Sequence, residues 1–195
     1  MSSLSVEQYI QKYYRDSAHA YEVRKLALML FDEVNEKLKK LPLKSRRFLE
    51  TASLLHDIGY NVESKNHNKH SFDIISKNGI NDFDDDETII IGLVARYHRA
   101  SLPNKTKHKA YALLKKKERK LVKRLSAILR ICDGLDRAHM QLIKSLTADY
   151  DEDNNIFTVN LTSNIIERTP DISSAIKKKD LFEKTFKTQI VFRFT

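Results

Sequence analysis

Five separated segments each place an imidazole or a carboxylate at the end, or on the apolar face, of a helical pattern, and a fold that satisfies this must gather them. The central segment is Ala52-Ser53-Leu54-Leu55-His56-Asp57-Ile58-Gly59-Tyr60. An apolar run ends there in adjacent His and Asp, and Gly59 follows at once. A glycine just past a helix is suited to the left-handed turn that closes it. A second helix carries Val23, Leu26, Ala27, Leu30 and Val34 at spacings of three and four, with His19 four residues before Val23 on the same face. Asp16 or Ser17 is suited to cap it, and Ser45 to cap the helix that leads to His56. A third apolar face carries Ile91, Val94, Ala95 and His98. The helix expected over Glu118 to about Leu142 turns Leu121, Leu125, Ile128 and Cys132 inward, with Asp133 and Asp136 three apart on one side. Between the second and third patterns, the polar stretch Asn61 to Lys69 reads as a loop that delivers His67 and His70 to a helix start.

Any one of these residues alone is better explained by packing. An acid inside Ile128-Leu129-Arg130-Ile131-Cys132-Asp133 is poorly explained by packing, however, and a charge there needs a partner. With one cysteine in the chain there is no disulfide framework and no thiolate zinc site, so a metal would be held by nitrogen and oxygen. His19, His56, Asp57, His70, His98 and Asp133 form such a set. It suits one or two divalent transition ions (Mn, Fe, Co, Ni or Zn) better than an all-oxygen cation such as Ca²⁺.

Four glycines and three prolines among 195 residues favour a mainly helical protein large enough for a real core. After Ser145 the period changes from helical to two. Strands are expected around Leu146 to Tyr150, Phe157 to Leu161 and Ile190 to Phe194, with a helix over Ile172 to Lys187. This β-β-α-β tail is too small to stand alone, so residues 1–144 are expected to form a helical domain and 145–195 a small α+β subdomain packed on it. The first residues lack a secretory pattern and no apolar run is long enough to span a bilayer, so a cytoplasmic protein with no membrane partner is expected. A homodimer is allowed by the same composition.

The formal charge is +9. Lys105 to Arg124 holds ten Lys or Arg against the single acid Glu118, which accounts for the whole excess. Such a segment can attract a polyanion, or can be a solvated helix face. Tyr111 is the only ring in it, which argues against single-stranded nucleic acid.

The order H…HD…H…H…D resembles the HD-domain metal-dependent phosphohydrolases. Leu54 to Gly59, His67 to Ser71, Leu93 to Arg99 and Leu129 to Arg137 resemble more closely the C-terminal HD-type domain of the exopolyphosphatase / guanosine pentaphosphate phosphohydrolase family, over nearly the whole chain. The resemblance implies an HD-type helical bundle. It assigns His19, His56, Asp57 and Asp133 to one ion, and His70 and His98 with bridging Asp57 to a second, His67 being the nearest rival to His70. Asp57 is then the central catalytic group, and Lys69, Arg99 and Arg137 are the candidates to hold substrate phosphate. In that family the phosphatase site lies in an actin-like domain with glycine-rich loops. These 195 residues contain no such loops, so exopolyphosphatase activity is not carried over. The expected function is hydrolysis of a small phosphate ester or anhydride, a nucleotide being the first candidate. The alternative is a non-catalytic module that binds polyphosphate or RNA through residues 105–124 beside a separate actin-like phosphatase.

Overall fold

The structure, a computed structural model, describes residues 3–164 and 169–195. The chain begins with helix α1 (Val6–Tyr13), closed at its start by a reciprocal capping box between Ser5 and Gln8. Helix α2 (Ala18–Glu33) follows and ends in a single wide turn over Val34–Leu38. Ser17 occupies the cap position without a side-chain bond, while Asp16 Oδ1 accepts from the Ala18 amide. Helix α3 (Ser45–Leu55) starts one residue earlier than a Ser45 cap requires, since Lys44 holds that position. Helix α4 (His67–Asn78) and helix α5 (Asp85–Arg96) pack together, and a second capping box, between Asp84 and Glu87, closes the start of α5. The short α6 (Lys109–Leu113) leads to the long α7 (Lys116–Leu135).

The core lies among α2, α3, α5 and α7. Val23, Leu26, Leu30, Phe48, Leu55, Ile91, Val94, Leu125, Ile128 and Leu129 are fully buried there, on the faces their spacing selects. Helix α7 stops at Leu135 rather than near Leu142. Asp136 takes the Gln141 amide and side chain with its carboxylate, and His139 and Gln141 adopt positive φ, so the chain turns instead of continuing helical.

Strands β1 (Ile143–Asp151) and β2 (Ile156–Ser163) pair antiparallel, and β3 (Gln189–Phe194) pairs parallel with β2, giving the order β1-β2-β3. A parallel pair needs a crossover. It is made by two helices, α8 (Ser173–Lys177) and α9 (Asp180–Phe186), where the periodicity suggests one. The free edge of β1 does not face water unpaired. Lys25 Nζ donates to Ile143 O, Lys37 Nζ donates to Ala148 O, and the Ala148 amide donates to Glu33 Oε2, all from α2 and its terminal turn. Leu146, Ala148, Phe157, Val159, Phe182 and Ile190 join the helical core in one continuous apolar cluster, so the core runs without a break across residue 144. Among the described residues, no helix is long and apolar enough to cross a membrane.

Two glycines are required by close approach. Gly59 is buried in a 3-10 turn (Ile58–Asn61), and its backbone is not left-handed, contrary to the expectation for a helix stop. A Cβ there would overlap the carbonyl oxygen of His67 and lie 2.5 Å from the Ser71 nitrogen. At Gly134 a Cβ would stand 2.6 Å from the backbone of Ala175, because α8 lies directly on α7.

Candidate metal centre

Helix ends supply the ligand positions. His56 follows α3, His98 follows α5, His67 opens α4, His19 lies in the first turn of α2, and Asp133 lies in the last turn of α7. Last-turn carbonyls of a helix lack intrahelical partners. Two of the imidazoles exploit this: His56 Nδ1 donates to Ser53 O and His98 Nδ1 to Ala95 O, each at 2.7 Å. His67 Nδ1 donates to Ser64 O at the same distance, three residues back as in the other two. His19 Nδ1 donates to Asp136 Oδ2 at 2.8 Å. A carbonyl or carboxylate can only accept, so in each ring Nδ1 carries a proton and Nε2 is the nitrogen left to face inward.

The four Nε2 atoms and two carboxylates fall into two groups, His19-His56-Asp133 and Asp57-His67-His98. In the second, Asp57 Oδ1 lies 3.1 Å from His67 Nε2 and 3.5 Å from His98 Nε2, and the two nitrogens are 3.3 Å apart. A point at the middle of that triangle is about 1.9 Å from all three atoms, close to the ~2.0–2.1 Å bonds of a zinc-like ion. In the first, Asp133 Oδ1 is 3.4 Å from His19 Nε2 and 3.8 Å from His56 Nε2. The other oxygen of Asp57, Oδ2, faces these same nitrogens at 3.9 and 3.4 Å. A tetrahedron with bonds of about 2.1 Å has edges of about 3.4 Å, so the spacings suit a four-ligand ion. Asp57 thus presents one oxygen to each group.

Within the protein itself these atoms are poorly satisfied. His19 Nε2, His56 Nε2 and Asp57 Oδ1 are buried without a hydrogen bond of acceptable geometry. His67 Nε2 and His98 Nε2 turn lone pairs toward each other, with Arg99 Nη1 3.4 Å from the former. Burial opposes ionisation of Asp57, but the nearby His56, His67 and His98 hold its carboxyl well below the usual range. Burial likewise opposes ionisation of Asp133, and His19, His98 and Lys178 outweigh it. His98 is pushed down to about 3 by burial, against the pull of Asp133. For His19, burial is overcome by the Asp133 and Asp136 carboxylates beside it, which raise it to about 9. A divalent ion would take the place of the His19 Nε2 proton between these carboxylates, and with the inward-facing Nε2 atoms of the other three rings they make a nitrogen-oxygen donor set. The residues present therefore fit one or two such ions.

Of the residues singled out from sequence, His19, His56, Asp57, His98 and Asp133 come together. His70 does not: it lies one helical turn after His67, and its Nε2 faces the exposed Glu63 at 3.4 Å. His67 stands in its place because the junction between loop and helix falls at 67, not at 70. Lys69 is exposed and lines neither cleft beside the centre. Arg137 lines both and Arg99 lines one of them. Arg130, by contrast, is buried in the scaffold, where it donates to Tyr97 O and lies 3.8 Å from Asp180. Four further groups carry little sign in the sequence. Tyr60 stacks on His67 at 3.7 Å, and His139 stacks on His19 at 3.8 Å with the rings nearly parallel. Tyr14 donates from its hydroxyl to Leu54 O and accepts from the Asp57 amide. Lys178 pairs with Asp133 Oδ2. Asp136 was marked only by its spacing from Asp133.

A cleft of about 600 Å³ opens beside the first group, lined by Tyr13, Tyr14, Arg15, Asp16, Asn61 and Arg137 together with His19 and Asp57. A smaller one of about 170 Å³ opens beside the second and is lined by His67, His98, Arg99, Arg137 and Lys178. The two share Asp57, Tyr60, Arg137 and His139.

Residues 2–180 match the family described as Ppx/GppA phosphatase, domain III. A guanosine-5'-triphosphate,3'-diphosphate pyrophosphatase of Pseudoalteromonas translucida (strain TAC 125) is 33% identical over 98 residues, which cover 50% of this chain and 20% of that protein. A protein of the same description from Pseudoalteromonas atlantica (strain T6c / ATCC BAA-1087) is 32% identical over 66 residues, 34% of this chain and 13% of that protein. The matched stretches thus span a fifth or less of these curated relatives.

Proposed function

The chain belongs to the Ppx/GppA phosphatase domain III family, and from that premise we propose that it is a metal-dependent phosphohydrolase of the HD type, acting on a small phosphate ester or anhydride. The observation that carries this reading is the convergence of four Nδ1-anchored imidazoles on two buried carboxylates, with Asp57 shared between two groups. His19, His56, Asp133 and Asp57 Oδ2 would hold one ion, and His67, His98 and Asp57 Oδ1 the other. Bound there, a divalent ion lowers the pKa of water and stabilises charge on a phosphoryl oxygen.

The chain's own groups do the rest. Arg99 and Arg137 flank the smaller cleft, where a planar guanidinium can hold a phosphate through two hydrogen bonds. Tyr60 and His139 shield the outer imidazoles and lock their rotamers. The larger cleft offers three tyrosine rings with Asp16 and Asn61 beside them, which favours a nucleotide: a base can stack on the rings while its polar edge is bonded. The relatives named for cleavage of a guanosine polyphosphate are consistent with a phosphorylated nucleoside at such a site.

The test is metal analysis of untagged protein purified without chelator, followed by hydrolysis of a nucleotide panel under Mn²⁺, Co²⁺ or Ni²⁺. Bound transition metal and turnover are expected. Metal-free protein that takes up none of these ions overturns the reading. A paired substitution separates the two rival histidines. His67→Ala should cut turnover by more than the ~10–100-fold typical of an outer-shell loss, while His70→Ala stays within about twofold of wild type. Equal effects of the two would refute the assignment of His67.

A second reading is favoured by one surface feature. Lys120, Lys123 and Arg124 of α7 and Lys184 and Lys187 of the α9 end line a cleft of about 350 Å³ with no acid in it. The rest of the basic segment is not of one kind: Lys115 lies 3.9 Å from Glu118, and Arg119 donates to Leu114 O and Ala112 O. If the protein also holds a polyanion such as polyphosphate, the triple change Lys120, Lys123 and Arg124→Gln should reduce its salt slope by about 2, at ~0.7 per lost phosphate contact. Lys115, Lys116 and Lys117→Gln should alter it less, and neither triple should change mononucleotide turnover. Equal slopes in all three proteins would remove the second reading.

A further inference from the structure

We infer that Lys178, from the crossover between β2 and β3, is a positioning residue of the metal centre, so that the β-rich tail completes the site. The inference rests on the metal reading above. Lys178 Nζ pairs with Asp133 Oδ2, whereas His19 and His56 face Asp133 Oδ1. The lysine therefore takes the carboxylate oxygen that the imidazoles leave, and does not compete for the ligand oxygen. Its side chain is only 18% exposed and lines the smaller cleft beside Arg99 and Arg137.

The placement is built in three ways. Helix α8 lies so close on α7 that a Cβ at Gly134, the residue after Asp133, would be 2.6 Å from the Ala175 backbone. Arg130, three residues before Asp133, faces Asp180, two residues after Lys178. Between these contacts, Lys178 has its ammonium held against one oxygen of one carboxylate. A ligating carboxylate is free to rotate and to offer either oxygen unless an outer partner pins it. With Oδ2 pinned, Oδ1 stays turned toward His19 and His56. The remaining charge of Asp133 is balanced at the same time, which lowers the cost of keeping a carboxylate buried before an ion arrives.

The experiment uses the full chain and the metal alone. Binding of Mn²⁺, Co²⁺ and Ni²⁺ to wild type, Lys178→Met and Lys178→Arg is measured by calorimetry, and the metal-free proteins are compared by thermal melting. Lys178→Met should weaken affinity for one ion by roughly ten- to hundredfold, the usual loss when an outer-shell partner is removed. The other ion should bind as before, and Lys178→Arg should restore most of the affinity. Lys178→Met that binds both ions as tightly as wild type, or more tightly, overturns the inference. Should the methionine prevent folding, Lys178→Ala takes its place with the same two outcomes. Wild-type protein that binds no metal overturns the metal reading itself, a failure distinct from unchanged affinity in the variant.

Discussion

Asp57→Ala is expected to strip the protein of both ions and to lower hydrolysis on the order of 10³-fold or more, the scale of losing a principal electrostatic group at a reacting centre. The expectation follows from the carboxylate's two faces. Oδ2 reaches the His19 and His56 nitrogens and Oδ1 reaches those of His67 and His98. Among the described residues, no other carboxylate faces the nitrogens of both groups at these distances. Asp57→Asn preserves the shape but removes the charge and one acceptor, so it should fail nearly as badly. By contrast His19→Ala and Asp133→Asn each touch one group and should leave one ion per chain. The fold should persist in all of them, because the side chain of Asp57 is turned toward the imidazoles of the centre and its amide is held by Tyr14. Metal content and far-ultraviolet circular dichroism decide the matter. An Asp57→Ala protein that is folded and still carries two ions would sink the shared-carboxylate arrangement.

Gly59→Ala should be the most damaging change of a single methyl group. The added Cβ meets backbone, not a side chain that could swing aside: the carbonyl of His67 and the nitrogen of Ser71, both in α4. The two segments are further tied by Ser71, which accepts from the Gly59 amide and donates to His56 O. To admit the methyl group, α4 must move as a body, at a cost of about 3 kcal/mol or more. At roughly 2–4 °C per kcal/mol for a protein of this size, the melting temperature should fall by roughly 6–12 °C. Because the colliding atom belongs to His67, the second metal group should be lost even in molecules that remain folded. A variant that melts within 2 °C of wild type, with its metal intact, would show that the approach is looser than described.

The scaffold was largely legible because apolar residues recur at helical spacing, even where, as in α7 from Leu125 to Leu135, the helix is buried on every side. Val23 to Val34 and Ile91 to His98 announce their inward residues by spacing alone, and the change of period after Ser145 announces the strands. His19, His98 and Asp133 could be read because they stand on those faces. His67 and His70 could not be separated this way. They are one helical turn apart, and the choice depends on where the loop gives way to α4, which Gly59 fixes by contact across the fold. The end of α7 was hidden for a similar reason. Asp136 prefers the Gln141 amide, His19 and a turn to another helical residue, and only the tertiary partner reveals it. Lys178 left no mark at all, since one lysine among Lys177, Lys178 and Lys179 is selected by the lie of α8 on α7.

The parallel pairing of β3 with β2 also has a consequence for the order of assembly. Synthesis proceeds toward higher residue numbers, so every imidazole and carboxylate from His19 to Asp133 leaves the ribosome before Lys178 does. Helices with local contacts form early, whereas a parallel strand must wait for its crossover and closes slowly. On the metal reading proposed above, a nascent chain would meet an ion while Asp133 is still free to turn, and the tail would then dock over a loaded centre. Metal supplied during translation and metal supplied to the finished protein would meet two different forms of the same site.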